Sequence, residues 1–435
     1  MPIAVLLLCL APSISWAQTS APLTVEHAVA LAVEHHPLLQ AATYEVAAAQ
    51  AGVLSARALT NPDILFTPGI TSPSGSDDEL LVQQPLEVNG VRSARTGAAR
   101  ARLRHAQAQA VGELRDLVFE TKAAYFDLTR ARESRSLAQD VLGTTEELDR
   151  GVRRQVEEGL KAGVDQLQTG VEMSRARQQL MLAEGQVKTV QAKLNTLMGR
   201  SPEEPVGALA PLTFEPVVMD RETILQQALA ARADIAAEAA LQQAFLEEAR
   251  LSRAQGRPDL VPQVRAESVV RGLHGVGLGL GISLPLLDYG SRRNRIRQAE
   301  ALANAQEAQI AAVRSQVRQE VEQALARIAA AEAVIREYQQ GVLEQAARLR
   351  DAALKGFQLG APGTSVLTVL EAQRTYRSVQ TEYTNALADH AAARAELERA
   401  TGAVSVEGLL VAANGSDRSD GSDRSDRHDR LGGPR

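Results

Sequence analysis

The chain states one pattern twice. Gln84-Pro85-Leu86-Glu87-Val88-Asn89-Gly90-Val91-Arg92-Ser93-Ala94-Arg95 returns 200 positions later as Leu284-Pro285-Leu286-Leu287-Asp288-Tyr289-Gly290-Ser291-Arg292-Arg293-Asn294-Arg295. Each copy follows an apolar, strand-like run and precedes a long run rich in Ala, Arg, Glu and Gln. Asn61-Pro62-Asp63 answers to Arg257-Pro258-Asp259, Gly159 to Gly360, and Leu197-Met198-Gly199 to Ala400-Thr401-Gly402. Copies of about 180 residues exceed a solenoid repeat and mark a duplicated structural unit. The expected division is residues 23–200 for the first copy (strands about 62–86), 201–219 for a linker and 220–402 for the second copy (strands about 259–287).

Aromatic residues make up only 3% of the 435 residues, which is the composition of long helices rather than of a mixed globular core. The net charge of −6 argues against nucleic acid as a partner. Residues 1–17 are apolar and uncharged, and Ser15-Trp16-Ala17 places small residues where a signal peptidase reads. This predicts a signal peptide cut between Ala17 and Gln18, with a short buried helix as the alternative. Beyond that cut no Cys remains, so neither disulfides nor thiol chemistry is expected. No other segment offers 18 consecutive apolar residues. A membrane would therefore be entered by strands.

The first unit reads as a helix from Leu23 to about Arg57 interrupted at Pro37, strands over Ile64–Ile70 and Glu79–Leu86, a helix from Val91 to about Glu158, and a helix from Val164 to Met198. Residues 71–78 read as an exposed loop. The second unit reads as a helix from Arg221 to Gln255, strands over Leu260–Val270 and Val276–Leu287, a helix from Ser291 to Gly356, and a helix from Ser365 to about Ala400. In the last strand Leu278, Leu280, Ile282, Leu284 and Leu286 alternate with Gly277, Gly279, Gly281, Ser283 and Pro285. That period of two gives one greasy and one small or polar face, as in a membrane strand. A half-buried strand in a soluble sandwich is the other reading.

A helix of about 68 residues spans roughly 100 Å at 1.5 Å per residue. The two shorter helices of each unit, stacked end to end, match it. The unit is thus a rod with a hairpin at one end and a helix turn at the other. Two hairpins give four strands, too few to close a membrane barrel, and lipid does not tolerate open edges. A cyclic trimer gives about twelve strands and leaves a lumen. The expected fold class is mainly α with a membrane β-barrel portion. It is an internally duplicated helix–hairpin–long helix–helix unit, and a trimeric 12-stranded β-barrel continues into a long α-helical coiled-coil tunnel. The tail from 403 to 435 is low-complexity and expected to be disordered.

With these elements in place, the chain resembles the TolC family of outer-membrane efflux proteins over roughly residues 23–402. The resemblance is carried by Leu23-Thr24-Val25-Glu26-His27-Ala28-Val29-Ala30-Leu31-Ala32, by the two junctions around Pro85, Gly90, Pro285 and Gly290, and by Val369-Leu370-Glu371-Ala372-Gln373. The junction is most like that of the heavy-metal-efflux branch, the CzcC-like proteins. The resemblance implies a homotrimer in the lipid of the outer membrane with a large periplasmic portion. It also implies docking to a periplasmic adaptor (a membrane fusion protein) and an inner-membrane pump of the RND type. As a passive exit duct it would carry heavy-metal cations; drug efflux, a type I secretion duct or a periplasmic structural coiled coil are the alternatives. The adaptor-docking tips would be Gly159, Leu160, Gly163 and Val164, and Gly360, Pro362, Gly363 and Ser365. Two acidic entrance residues of the family fall on Thr368 and Glu371, so one carboxylate remains; the family's gate aromatic falls on Phe357. A solvated Glu371 and a packing Phe357 are the plainer readings of the same residues.

No catalytic constellation, phosphate loop or dinucleotide fingerprint is present, and the seven His residues form no metalloprotease pair. No enzyme activity, cofactor or stored metal is expected. An exit duct gains nothing from tight binding of its cargo.

Overall fold

The computed structural model describes residues 22–68, 78–217, 220–267, 274–359, 361 and 363–402. Ala17, Gln18, residues 71–77 of the expected loop, Gly360, Pro362 and the tail from 403 lie outside the described residues.

The first unit begins with α1 (Val25–His35), whose start is capped by the Thr24 hydroxyl accepting the His27 N–H. Pro37 ends it. Having no N–H, proline suits the first position of the next helix, α2 (Pro37–Arg57). Two strands follow, β1 (Asp63–Thr67) and β2 (Glu79–Gln83). Then come α3 (Val91–Glu157), 67 residues without a break, and α4 (Gly163–Leu197). α3 runs beside α2, α1 and α4. α1 and α4 meet on α3, where Ala28 and Ala32 pack with Leu117, Tyr125, Leu128, Val190 and Leu194. The Tyr125 hydroxyl donates to the Leu23 carbonyl (2.7 Å) and accepts the Ala210 N–H (3.0 Å). It thereby pins the segment between the units to this meeting point.

The second unit repeats the series with α5 (Arg221–Ala231), α6 (Ala233–Ala254), β3 (Asp259–Glu267), β4 (His274–Ser283), α7 (Ser291–Glu337), α8 (Leu343–Gln358) and α9 (Val366–Thr401). Two expected helices prove to be interrupted. The run from Arg221 to Gln255 breaks at Arg232, which is extended (φ −66°, ψ 121°). No proline marks the place. The Arg232 guanidinium is buried, bonding Asp234 (2.5 Å) and, on α7, Glu320 (2.6 Å), and it reaches the Ala400 carbonyl of α9 (3.4 Å). Charge burial here takes the role that proline has in the first unit. The run from Ser291 to Gly356 is interrupted at Tyr338–Val342 by a kink with π-type hydrogen bonding, in which Gly341 holds φ 149°. That conformation is open in practice only to glycine.

The four strands form one antiparallel sheet in the order β1-β2-β3-β4. The central pairing joins the units, with Leu80 opposite Ala266 and Val82 opposite Val264.

Removing one member of a buried ion-pair network leaves its partners charged and unpaired, at a cost of about 3–5 kcal/mol. Arg232→Ala is therefore expected to lower the thermal unfolding temperature sharply, while Arg318→Ala, an exposed residue of the same helix layer, changes it little. Burial by itself would raise the Asp234 and Glu320 carboxyls and lower the Arg232 guanidinium, but their mutual hydrogen bonds prevail and hold both carboxyls below their usual range. Because the folded-state pKa is depressed, this stability is fully present above the ordinary carboxylate pKa of about 4 and is lost as pH falls through the lowered values. A thermal-unfolding series between pH 7 and 3 is expected to show that loss for the native chain and a flatter profile for Arg232→Ala.

Candidate functional site

Directly opposed residues in an antiparallel pair share a face of the sheet. One face therefore carries Ile64, Phe66, Leu80, Val82, Leu260, Pro262, Val264 and Ala266, with Val276, Leu278, Leu280 and Ile282 from β4. It is apolar throughout. The opposite face carries Asp63, Thr67, Glu79, Gln83, Gln263, Arg265, Glu267 and the glycines 277, 279 and 281, with Leu65, Leu81 and Val261 among them. Arg265 and Glu79 pair there at 2.8 Å. The apolar face is barest along β4, where Leu278 is 86% exposed, and half-buried toward the middle of the sheet. A Cβ at Gly281 would lie 2.6 Å from the Gln263 side-chain nitrogen, so the glutamine packs over the glycine and would have to move aside for a larger residue. β1 and β4 each present an unpaired edge within the chain.

Both strand-to-helix junctions lie at this end. Gly90 and Gly290 precede α3 and α7 in the left-handed conformation (φ 89° and 84°), each following a turn that begins with Pro85 or Pro285. Asp259 of β3 accepts the Glu87 and Val88 N–H groups (3.0 and 2.9 Å). Glu87 in turn makes a two-pronged pair with Arg95, which also donates to the Ala56 and Ala58 carbonyls. Strand, turn and two helices are thus bolted together. At the second junction Asp288 accepts the Gly290 and Arg292 N–H groups. These bonds, with Arg292 nearby, hold its carboxyl below the usual range.

The tips lie at the far end of the rods. Gly159 closes α3 (φ 73°), Leu160 and Val164 are exposed, and Gly163 opens α4. Across from them Gly363 (φ 84°) leads into Ser365, which caps α9. The Ser365 hydroxyl accepts the Thr368 N–H (3.2 Å), and Thr368 returns a contact to the Ser365 N–H. Thr368 is thereby a capping residue, which accounts for a hydroxyl at that position. Phe357 is buried with Leu148, Val152, Val366, Val369 and Leu370. The Lys161 ammonium of the first tip sits 5.1 Å from the centre of its ring, so the two tips touch. Glu371 is exposed one turn into α9. One turn further, Arg374 pairs with Glu172 of α4.

Sequence reasoning names the junction motif but misses Asp259, whose role depends on a partner 172 residues away, and Arg374 with Glu172, paired across 202 residues. The Pro-Asp shared by Asn61-Pro62-Asp63 and Arg257-Pro258-Asp259 is the one signal that could have found Asp259. Among the described residues no group of three metal-ligating side chains is present, and no helix is long and apolar enough to cross a membrane.

These features match known proteins. CzcC of Cupriavidus metallidurans, a cobalt-zinc-cadmium resistance protein, is 27% identical over 88% of this chain and 91% of its own length. The outer membrane channel CmeC of Campylobacter jejuni superposes with a TM-score of 0.75 at 16% identity, covering 87% of this chain and 85% of that one. The outer membrane protein VceC of Vibrio cholerae gives 0.74 at 20%, covering 87% and 96%. At such identities the structures speak for the fold. The family model of outer membrane efflux proteins matches residues 28–200 and 224–403, which together span most of the chain. The chain therefore belongs to the outer membrane efflux protein family: it is an outer-membrane channel protein with a large periplasmic helical portion, and not an enzyme.

Proposed function

We propose that three copies of the chain close a twelve-stranded barrel and that this homotrimer is the exit duct of a tripartite metal-efflux system. The observation that carries the reading is the sorted sheet with two open edges. A four-stranded sheet with one wholly apolar face cannot remain open in lipid. β4 of one copy pairing with β1 of the next satisfies both edges at once. The polar face then lines a lumen, and the helices continue it for roughly 100 Å toward the inner membrane. The far end would meet a periplasmic adaptor through Gly159, Leu160, Gly163, Val164, Gly360, Pro362, Gly363 and Ser365, and through it an inner-membrane pump of the RND type. The name of the CzcC relative, a cobalt-zinc-cadmium resistance protein, supports divalent metal cations as cargo.

At the entrance, three copies of Glu371 would form a cation-attracting ring. Phe357 anchors the tip beneath it, and the pairing of Arg374 with Glu172 holds α9 against α4.

Deleting the gene is expected to sensitise the cell to zinc, cobalt or cadmium, with restoration by the native gene. Sensitisation to antibiotics alone would exclude metal as the cargo. Glu371→Gln is expected to leave trimer assembly intact and to lower cation conductance of the reconstituted channel by roughly two- to tenfold at low salt, with less effect near 1 M salt. Single-channel recording in planar bilayers measures both.

A further inference from the structure

Residues 91–104 hold five Arg and residues 291–298 hold four, and neither stretch holds Asp or Glu. Cations at a helix start oppose the helix dipole, so nothing within α3 or α7 favours them there. Three are neutralised locally: Arg95 by Glu87, Arg102 by Glu248 and Arg292 by Asp288. The other six are exposed and, among the described residues, make no ion pair; Arg92, Arg293, Arg295 and Arg297 are the four of them nearest the junctions, Arg100 and Arg104 lying farther down α3.

Their position along the rod is defined. All four lie within seven residues of Gly90 or Gly290, hence within about 10 Å of the strand-to-helix junction. The headgroup layer of a bilayer is roughly 5–8 Å deep, and charges act over about 10 Å at 0.1 M salt. Immediately above them the exposed apolar surface ends in Leu284, Leu286, Leu287 and Tyr289, the last 95% exposed. A tyrosine between greasy and charged surface is the usual residue of a membrane–water boundary. Charge and boundary are thus continuous with the lipid-facing sheet.

We propose that Arg92, Arg293, Arg295 and Arg297 form a basic collar that binds the anionic phospholipid headgroups of the inner leaflet of the outer membrane. The collar fixes the depth at which the barrel sits. This rests on the reading that the sorted sheet closes into a lipid-embedded barrel. A guanidinium stays charged across the accessible pH range, so the attraction is sensitive to salt and not to pH.

The test uses the full chain offered to vesicles of phosphatidylcholine alone or with a third phosphatidylglycerol, assayed by flotation. Native protein is expected to favour the anionic vesicles by at least about tenfold at 0.1 M salt and to lose most of that preference at 0.5 M. The quadruple variant R92Q/R293Q/R295Q/R297Q is expected to enter both vesicles equally, whereas R314Q/R318Q, neutralised far down α7, keeps the native preference. Inorganic phosphate is expected to compete no better than chloride at equal ionic strength, which separates a headgroup surface from a site for free phosphate. Equal partition of the native protein, an undiminished preference in the quadruple variant, or specific competition by phosphate overturns the collar while leaving the barrel standing. Failure of native protein to enter either vesicle overturns the barrel reading and the collar with it.

Discussion

Backbone amides have no water to bond in hydrocarbon, and this rule governs the whole molecule. Four strands with one apolar face and two free edges are a fragment of a structure rather than a structure. The duplication, the rods and the junctions all serve to present that fragment in a form that copies of the chain can complete. In a soluble sheet the same surface, with Leu278, Leu280 and Ile282 bare, would be an aggregation hazard. In an outer-membrane channel it is the wall.

The helical part answers a different difficulty. A rod of 67 residues has almost no interior, so no single core can hold it straight. Stability is instead distributed into separate apolar clusters, one in each unit where the shorter helices meet the long one and another at the tips joining α3 to α8 and α9. Between them polar interactions do what apolar ones cannot. Tyr125 fastens the chain between the units, and Arg232 binds three helices around a buried charge. The result is an extended scaffold sparing in aromatic residues, which suits a wall with water on both sides.

Much of this is legible in the sequence. Pro37 announced the first helix break, and the Leu/Gly alternation from Gly277 to Ile282 announced the two-faced strand, because both act through local geometry. The break at Arg232 was not legible. Its cause is Glu320, 88 residues away, and arginine is common in helices. Asp259 was hidden for the same reason, since an aspartate at the start of a strand says nothing of the turn it will cap in another unit. At the tip, sequence could single out Thr368 but not show that its hydroxyl is occupied by Ser365. Local rules reveal where the chain turns; the partners that hold the turns come from elsewhere.

The π-type kink at Gly341 has a bearing on how the two units came to match. Gly90 and Gly290 are 200 positions apart (290 − 90), whereas Gly159 and Gly360 are 201 apart (360 − 159). The second rod thus holds one residue more than the first, and only the second contains such a kink. In an ordinary α-helix one added residue would rotate everything beyond it by about 100°. Phe357 would then leave its cluster and face water, and the second tip would come down out of phase with the first. The wider turn absorbs the surplus residue. It acts as a correction of phase, letting two copies of unequal length end in register with the same far rim.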